Sequence, residues 1–292
     1  MIAAPATGQV TSLETPLAMI CGGGSLPIAV AEYVASRGRQ VLLFPLYGAA
    51  EGSPVERFTH HWIHIGQVGK FLRTARAAGC SDLVLIGSLV RPSIWRVRPD
   101  LKGLSFITRT IAAYRGGDNH LLSGMGKMME EEGFRLLGAH EVAPEILMPE
   151  GVLGSAQPSE RDRADIALGL QYLRAAGPFD VGQAVVVAGK HVLAVEAVEG
   201  TDQMLARVAE LRANGRLQGA TGIGVLVKAP KPGQDLRYDM PSIGPRTVEA
   251  VAQAGLAGIA VVAGGSIVAE AEKLIAAADS AKIFVVGTAA GS

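Results

Sequence analysis

Apolar residues along this chain fall into short continuous runs separated by stretches with helical spacing. The run Leu17–Cys21 leads into a glycine turn, Gly22–Pro27, and then a helical pattern over Ile28–Arg37. Further runs follow at Gln40–Pro45, His61–Ile65 and Asp82–Ile86, the last ending at Gly87–Ser88, with a helical pattern over Gln67–Ala78 between them. Runs that are apolar throughout, rather than alternating, and that are separated by helices predict a parallel sheet covered on both faces. The first half of the chain reads as a Rossmann-like domain.

Beyond it, Leu104–Glu132 is mainly helical in pattern, interrupted at Gly116–Gly117, and Phe134–Leu137 is apolar. The chain then turns rich in Pro, Gly and Ser from Ala143 to Pro158, which reads as a linker. A helix is expected over Ser159–Ala175 with Ser159 as its cap. A hairpin follows, Ala184–Ala188 with His191–Ala197, then a helix over Asp202–Asn214 and a strand over Ile223–Lys228. The remaining pattern predicts a helix at Pro245–Ala254, a strand at Gly258–Ala263, a helix at Ile267–Asp279 and a strand at Ile283–Val286. The expected architecture is α/β in two domains. Residues 1–145 form the Rossmann-like parallel sheet, 146–165 a linker, and 166–292 a mixed α/β domain that carries the catalytic residues.

Composition narrows the function. Lys+Arg and Asp+Glu balance at 27 each, so the broad basic excess of a nucleic-acid binder is missing, and no nucleic-acid partner is expected. Two cysteines, Cys21 and Cys80, sit at the edges of apolar runs and read as buried, reduced thiols rather than a disulfide or zinc framework. Met1–Pro16 holds no Lys or Arg and no long apolar run, which argues against a secretory signal. No stretch approaches the roughly 18 consecutive apolar residues of a membrane span. A cytoplasmic protein is expected.

Four segments carry candidate chemistry. The turn Gly22-Gly23-Gly24-Ser25-Leu26-Pro27 lies between strand and helix, where backbone N–H groups and the helix dipole favour an anion. Its last position is Pro27, so the three-glycine dinucleotide fingerprint is incomplete, and no Gly-Lys-Ser/Thr follows. Arg115–His120 opens a helix, and Asp118 there reads as a cap or as a metal ligand. Glu196, Glu199, Thr201 and Asp202 cluster after a strand, where carboxylates can face a metal or a sugar hydroxyl and where Thr201 or Asp202 can equally cap a helix. The densest segment, Lys228–Gly244, combines Lys228, Lys231, Gln234, Asp235, Arg237 and Asp239 with three prolines. If 235–239 is extended, Asp235, Arg237 and Asp239 share one face. Two carboxylates flanking a guanidinium suit Mg²⁺ and phosphate held side by side. The six histidines show no metal-ligand spacing and read as ordinary core or surface residues.

Taken together, GGGSLP, GGDN, AVEAVEGTD and VLVKAPKPGQDLRYDMPSIG resemble, in order and from about Ala18 to the end, the UDP-2,3-diacylglucosamine pyrophosphatases of the lipid A pathway that are not calcineurin-like. The resemblance implies a Mg²⁺-dependent hydrolase, with Mn²⁺ as an alternative ion, that splits its substrate into UMP and lipid X. Water would attack the β-phosphorus, and the lipid would lie between two domains at the cytoplasmic face of the inner membrane. The resemblance also implies that the catalytic aspartate lies in Q-D-x-R-x-D, which offers Asp235 first and Asp239 second. Lys228 and Arg237 would complete the catalytic set. Asp235, Asp239, Asp118, Glu196 and Asp202 are the expected metal ligands. Gly23, Gly24, Ser25, Leu26, Gly87, Ser88, Thr201, Lys231 and Gln234 would line the substrate. In GGDN, Asn119 follows where the family often has a second acid, which leaves Asp118 alone. The Met- and Leu-rich stretch Leu121–Met129 reads as a core helix, with an acyl-chain lining as the alternative. A homodimer and peripheral contact with the inner membrane are further expectations. The rival reading is a Rossmann-type NAD(P)-dependent oxidoreductase.

Overall fold

The structure, a computed structural model, describes residues 15–88, 98–106, 118–217, 221–238 and 240–289. The chain divides into two compact units, Met1–Ala143 and Pro144–Ser292.

In the first unit β1 (Leu17–Cys21), β2 (Val41–Pro45), β3 (Asp82–Ile86) and β4 (Arg135–Leu137) form a parallel sheet in the order β2-β1-β3-β4. Leu17, Met19, Leu43, Phe44, Leu83 and Val84 are buried, as expected of strands covered on both faces. Helices α1 (Leu26–Ser36), α2 (Val68–Ala77) and α3 (Asp118–Glu131) belong to this unit, and residues 101–106 are also helical. Helix α2 buries Phe71, Leu72 and Ala75 on one face, and the Phe71 ring meets Phe44 of β2 edge-on at 4.7 Å.

The expected strand at His61–Ile65 is not one. The segment runs beside β2, joined by single bridges at Leu43–His60 and Leu46–Ile63. Pro45 ends β2 at this point and has no N–H to donate, so a continuous ladder cannot form.

At the amino edge of this sheet lies a buried ion cluster. The Asp82 carboxylate accepts from Arg135 at 2.8 and 2.9 Å and from the buried Arg39 guanidinium. Burial alone would raise the Asp82 carboxyl. The hydrogen bonds and charges of Arg135 and Arg39 outweigh it and hold the group below the usual carboxylate range. Cys21 and Cys80 are free and buried, and burial pushes the Cys21 thiol up to about 12 and raises Cys80 as well.

The second unit is a three-layer sandwich. Its sheet has the order β5-β12-β10-β8-β6-β7, formed by β5 (Gly151–Leu153), β6 (Ala184–Ala188), β7 (His191–Val195), β8 (Val225–Lys228), β10 (Gly258–Val262) and β12 (Phe284–Thr288). Strands β8, β10 and β12 are parallel; β5 and β6 run against their neighbours, and β7 against β6. Alternate residues of β6 serve opposite faces. Val186 joins a cluster with Met204, Val208, Val251 and Leu274, from helices α5 (Gly200–Ala213), α6 (Pro245–Gln253) and α7 (Ala271–Ala281). Val185 and Val187 pack with Ile166, Leu170 and Leu173 of α4 (Glu160–Ala176). A Cβ on Gly169 of α4 would lie 2.6 Å from the Val227 side chain, so only glycine lets this helix settle so close to the sheet.

Two expectations change here. The stretch 146–165 contains β5, paired with β12, and the start of α4, so it is part of the second unit's fold rather than a tether. Ile267–Val268 is not the first turn of a helix but β11, paired with β9 (Ser242–Ile243) through Ile267 N–H to Pro241 O at 2.8 Å; the helix starts at Ala271. Strand pairing overrides a pattern that reads equally well as helix.

Candidate active site

Because β8 and β6 are antiparallel, with Lys228 opposite Ala184, the end of β8, the entry to β6 and the exit of β7 meet at one edge of the second sheet. A cavity of about 310 Å³ opens there, lined by Gly182, Gln183, Glu196, Lys228, Lys231 and Met240 among others. Its wall is a hydrogen-bonded chain. Glu196 accepts the Gln183 backbone N–H at 2.7 Å through Oε2 and the Thr201 hydroxyl at 2.7 Å through Oε1. Thr201 Oγ1 in turn accepts from Lys228 Nζ at 3.1 Å, and Lys228 also donates to Ser242 O at 3.0 Å. Lys228 is only 8% exposed, an ammonium buried at the mouth of a cavity.

The loop beyond Lys228 adds Lys231 to the lining of the cavity. Lys231 N–H donates to Gln234 Oε1 at 2.9 Å and Gln234 N–H to Lys231 O at 3.1 Å, closing a turn, while Lys231 Nζ reaches Asp180 Oδ1 at 2.6 Å. Asp235, Arg237 and their neighbours are not extended. Arg237 N–H donates to Asp235 Oδ1 at 3.0 Å and Tyr238 N–H to Asp235 O at 3.1 Å, so the segment curls into an Asx turn. The side chain of Asp235 is consequently gripped by its own loop, with Arg237 Nη2 at 2.7 Å from Oδ2. The single shared face expected for these residues is therefore not formed by Asp235 and Arg237, and Asp239 lies outside the described residues. Asp202 stands on the surface, paired with Arg246 at 3.3 Å.

The other expected substrate residues lie in the first unit. Gly23 and Ser88 exchange backbone hydrogen bonds at 2.8 and 2.9 Å, which ties the turn after β1 to the end of β3. Gly22 N–H is given to Ile86 O, so the N–H groups of Gly22 and Gly23 are engaged by the chain itself. A Cβ on Gly22 would run into Ser88 O, and one on Gly23 would lie 2.7 Å from Ala49 O, which explains the glycines by close approach of backbone. Gly24, Ser25, Gly87 and Ser88 are exposed and Leu26 begins α1. Asp118 begins α3, with its side chain outside the described residues.

Sequence reasoning missed Gly182, Gln183 and Asp180. Gln183 acts through a backbone N–H, which no side-chain motif records. Asp180 meets Lys231 only through the fold.

Two family models match consecutive parts of the chain: the LpxI N-terminal domain over residues 16–146 and the LpxI C-terminal domain over residues 149–286. The chain is also 42% identical, over 93% of its length and 96% of the relative's, to the UDP-2,3-diacylglucosamine pyrophosphatase LpxI of Caulobacter vibrioides. With both domain models matched in order and a relative this similar from end to end, the chain belongs to the LpxI family.

Proposed function

We propose that the protein hydrolyses the pyrophosphate of UDP-2,3-diacylglucosamine in lipid A biosynthesis. A water oxygen bonds to the sugar-side β-phosphorus, the bond from that phosphorus to the bridging oxygen breaks, and UMP leaves with the bridging oxygen, giving lipid X. The observation that carries this reading is the buried Lys228 ammonium held in the wall of a polar cavity at the carboxyl edge of the sheet. The activity named for the 42% identical relative supports it.

Pyrophosphate cleavage asks mainly for charge neutralisation and an aligned water. Lys228 faces the phosphates, Lys231 and Gln234 hold the rim, and Arg237 keeps Asp235 oriented until substrate arrives. Among the described residues no three His, Cys, Asp or Glu side chains gather into a metal cage. This donor set fits Mg²⁺, or Mn²⁺, carried largely by phosphate oxygens and water and met by one or two carboxylates, of which the partly exposed Asp235 is the foremost. Such an ion would supply further charge neutralisation at the phosphates. Asp118, Asp202 and Asp239 stay in this reading as additional ligands. The engaged N–H groups of Gly22 and Gly23 weigh against the dinucleotide alternative.

No helix among the described residues is long and apolar enough to cross a membrane. A diacylated substrate nonetheless calls for peripheral contact with the cytoplasmic face of the inner membrane. Exposed Leu101 and Leu104 on the 101–106 helix suit that contact. A homodimer is also part of the reading.

The test is turnover in H₂¹⁸O with Mg²⁺. The label is expected in lipid X and not in UMP, and Asp235→Asn is expected to lower kcat by about 100-fold or more. No product from the wild type, or label in UMP, would overturn the reading.

A further inference from the structure

We propose that Glu196 and Thr201 are a positioning pair for Lys228, and that Glu196 serves as a hydrogen-bond acceptor rather than as a metal ligand. The inference rests on the pyrophosphatase reading and assigns roles inside that site.

The direction of the hydrogen-bonded chain turns on a single proton. A threonine hydroxyl has one hydrogen to give and lone pairs to receive with. Thr201 spends its hydrogen on Glu196 Oε1 at 2.7 Å, so its oxygen presents lone pairs to Lys228 Nζ at 3.1 Å. The polarity of the chain is thereby set by the carboxylate. Glu196 fixes the hydroxyl, and the hydroxyl together with Ser242 O fixes the ammonium at two points. A lysine on a four-carbon stem otherwise samples many rotamers, and an ammonium displaced by an ångström loses much of its hold on a phosphate oxygen.

Glu196 is itself immobilised from two sides. Its Oε2 is taken by the Gln183 N–H at 2.7 Å. Its stem lies on Gly182, where an added Cβ would stand 2.5 Å from Glu196 Cγ and 2.5 Å from its carbonyl oxygen. The Gly182 N–H also bonds that carbonyl, at 2.9 Å. Both oxygens are thus oriented by the protein, and Oε1 meets the Thr201 hydroxyl without rearrangement. A divalent ion placed on Glu196 would also stand close to the Lys228 ammonium, two hydrogen bonds away, and be repelled by it.

Three variants of the full-length enzyme decide the matter, each checked for an unchanged circular dichroism spectrum and assayed against UDP-2,3-diacylglucosamine over a Mg²⁺ titration. Thr201→Val, which keeps the shape and removes the hydroxyl, is expected to lower kcat by on the order of 10–100-fold with KM little changed. Thr201→Ser is expected to restore kcat to within about 3-fold of wild type, a rescue that a purely packing role for the methyl group would not give. Glu196→Gln is expected to lower kcat by about 10-fold while the Mg²⁺ concentration for half-activation stays within about 2-fold of wild type. A rise of about 10-fold or more in that concentration would make Glu196 a metal ligand and overturn the assignment, as would wild-type kcat in Thr201→Val. If Thr201→Val does not fold, the Ser variant and the Glu196→Gln titration still decide. Failure of the underlying reading is distinct, because it appears as an inactive wild type.

Discussion

Each unit buries a charge at one end of its sheet, and the two stand in different surroundings. In the first unit Asp82, 1% exposed, begins β3 at the amino edge, where Arg39 and Arg135 answer it with guanidinium groups. In the second unit Lys228, 8% exposed, ends β8 at the carboxyl edge, where it bonds a hydroxyl and a carbonyl beside a cavity. A buried charge met by opposite charges has its electrostatic need filled by the fold and contributes to architecture. One that donates to a hydroxyl and a carbonyl in the wall of a cavity is placed where an entering anion can meet it. At the carboxyl end of the first sheet a backbone bridge joins Gly23 to Ser88, while at that of the second a cavity lies beside Lys228.

The largest effect should come from breaking the first unit's cluster. Asp82→Ala leaves two guanidiniums without their shared partner, one of them 3% exposed, and should cost about 3 kcal/mol or more of unfolding free energy. Denaturant titration measures this, and activity per folded molecule should be unchanged. The same carboxyl sets an acid limit. Its folded pKa is depressed below the unfolded value, so its contribution is fully present above the usual carboxylate range and is lost as pH falls through the depressed value. Stability of Asp82→Ala should therefore fall less steeply on acidification than that of the wild type. A variant that kept wild-type stability but lost activity would erase the contrast between the two charges.

Lys228→Met inverts the outcome. Catalysis should fall by about 10²–10³-fold, the range for losing one donor aimed at transition-state charge. Stability should move by no more than about 1–2 kcal/mol, because the cost of leaving Thr201 and Ser242 oxygens unmet is offset by removing a desolvated ammonium. Steady-state kinetics beside a thermal melt reads both. A large loss of stability with normal turnover would move Lys228 into the architectural class with Asp82.

How far this contrast was legible in the sequence depends on the residue. The strands around both charges are continuous apolar runs, such as Leu83–Ile86 and Val225–Val227, because both faces of each sheet are covered. Lys228 stood out by closing such a run at the start of a charged loop. Asp82 did not, since it lies 43 residues from Arg39 and 53 from Arg135, and only the parallel register of β3 with β4 brings Arg135 alongside. Asp235 was legible as a candidate but was read as extended, although an Asp that accepts the N–H two residues on is a turn former, and that signal was passed over. His61–Ile65 and Ile267–Val268 failed on strand pairing, in opposite directions. One apolar run was denied a ladder by Pro45, and the other was given one by Ser242–Ile243.

The smallest effect tests whether exposure, rather than charge alone, divides these groups. Asp202 and Arg246 also form an ion pair, at 3.3 Å, but their side chains are 63% and 87% exposed. Water screens such a pair, and holding two long side chains together costs rotamer freedom, so the contribution should lie between about 0 and 1 kcal/mol. Arg246→Ala is accordingly expected to shift the unfolding free energy by less than about 0.5 kcal/mol, and by less still at high salt. Removing Arg246 also leaves the Asp202 carboxylate without its cation. If Asp202 serves the metal, the Mg²⁺ concentration for half-activation should drop in Arg246→Ala; if Asp202 is only a surface charge, the titration should overlay that of the wild type. A stability loss as large as that of Asp82→Ala would show that burial is not what separates architectural charges from the rest.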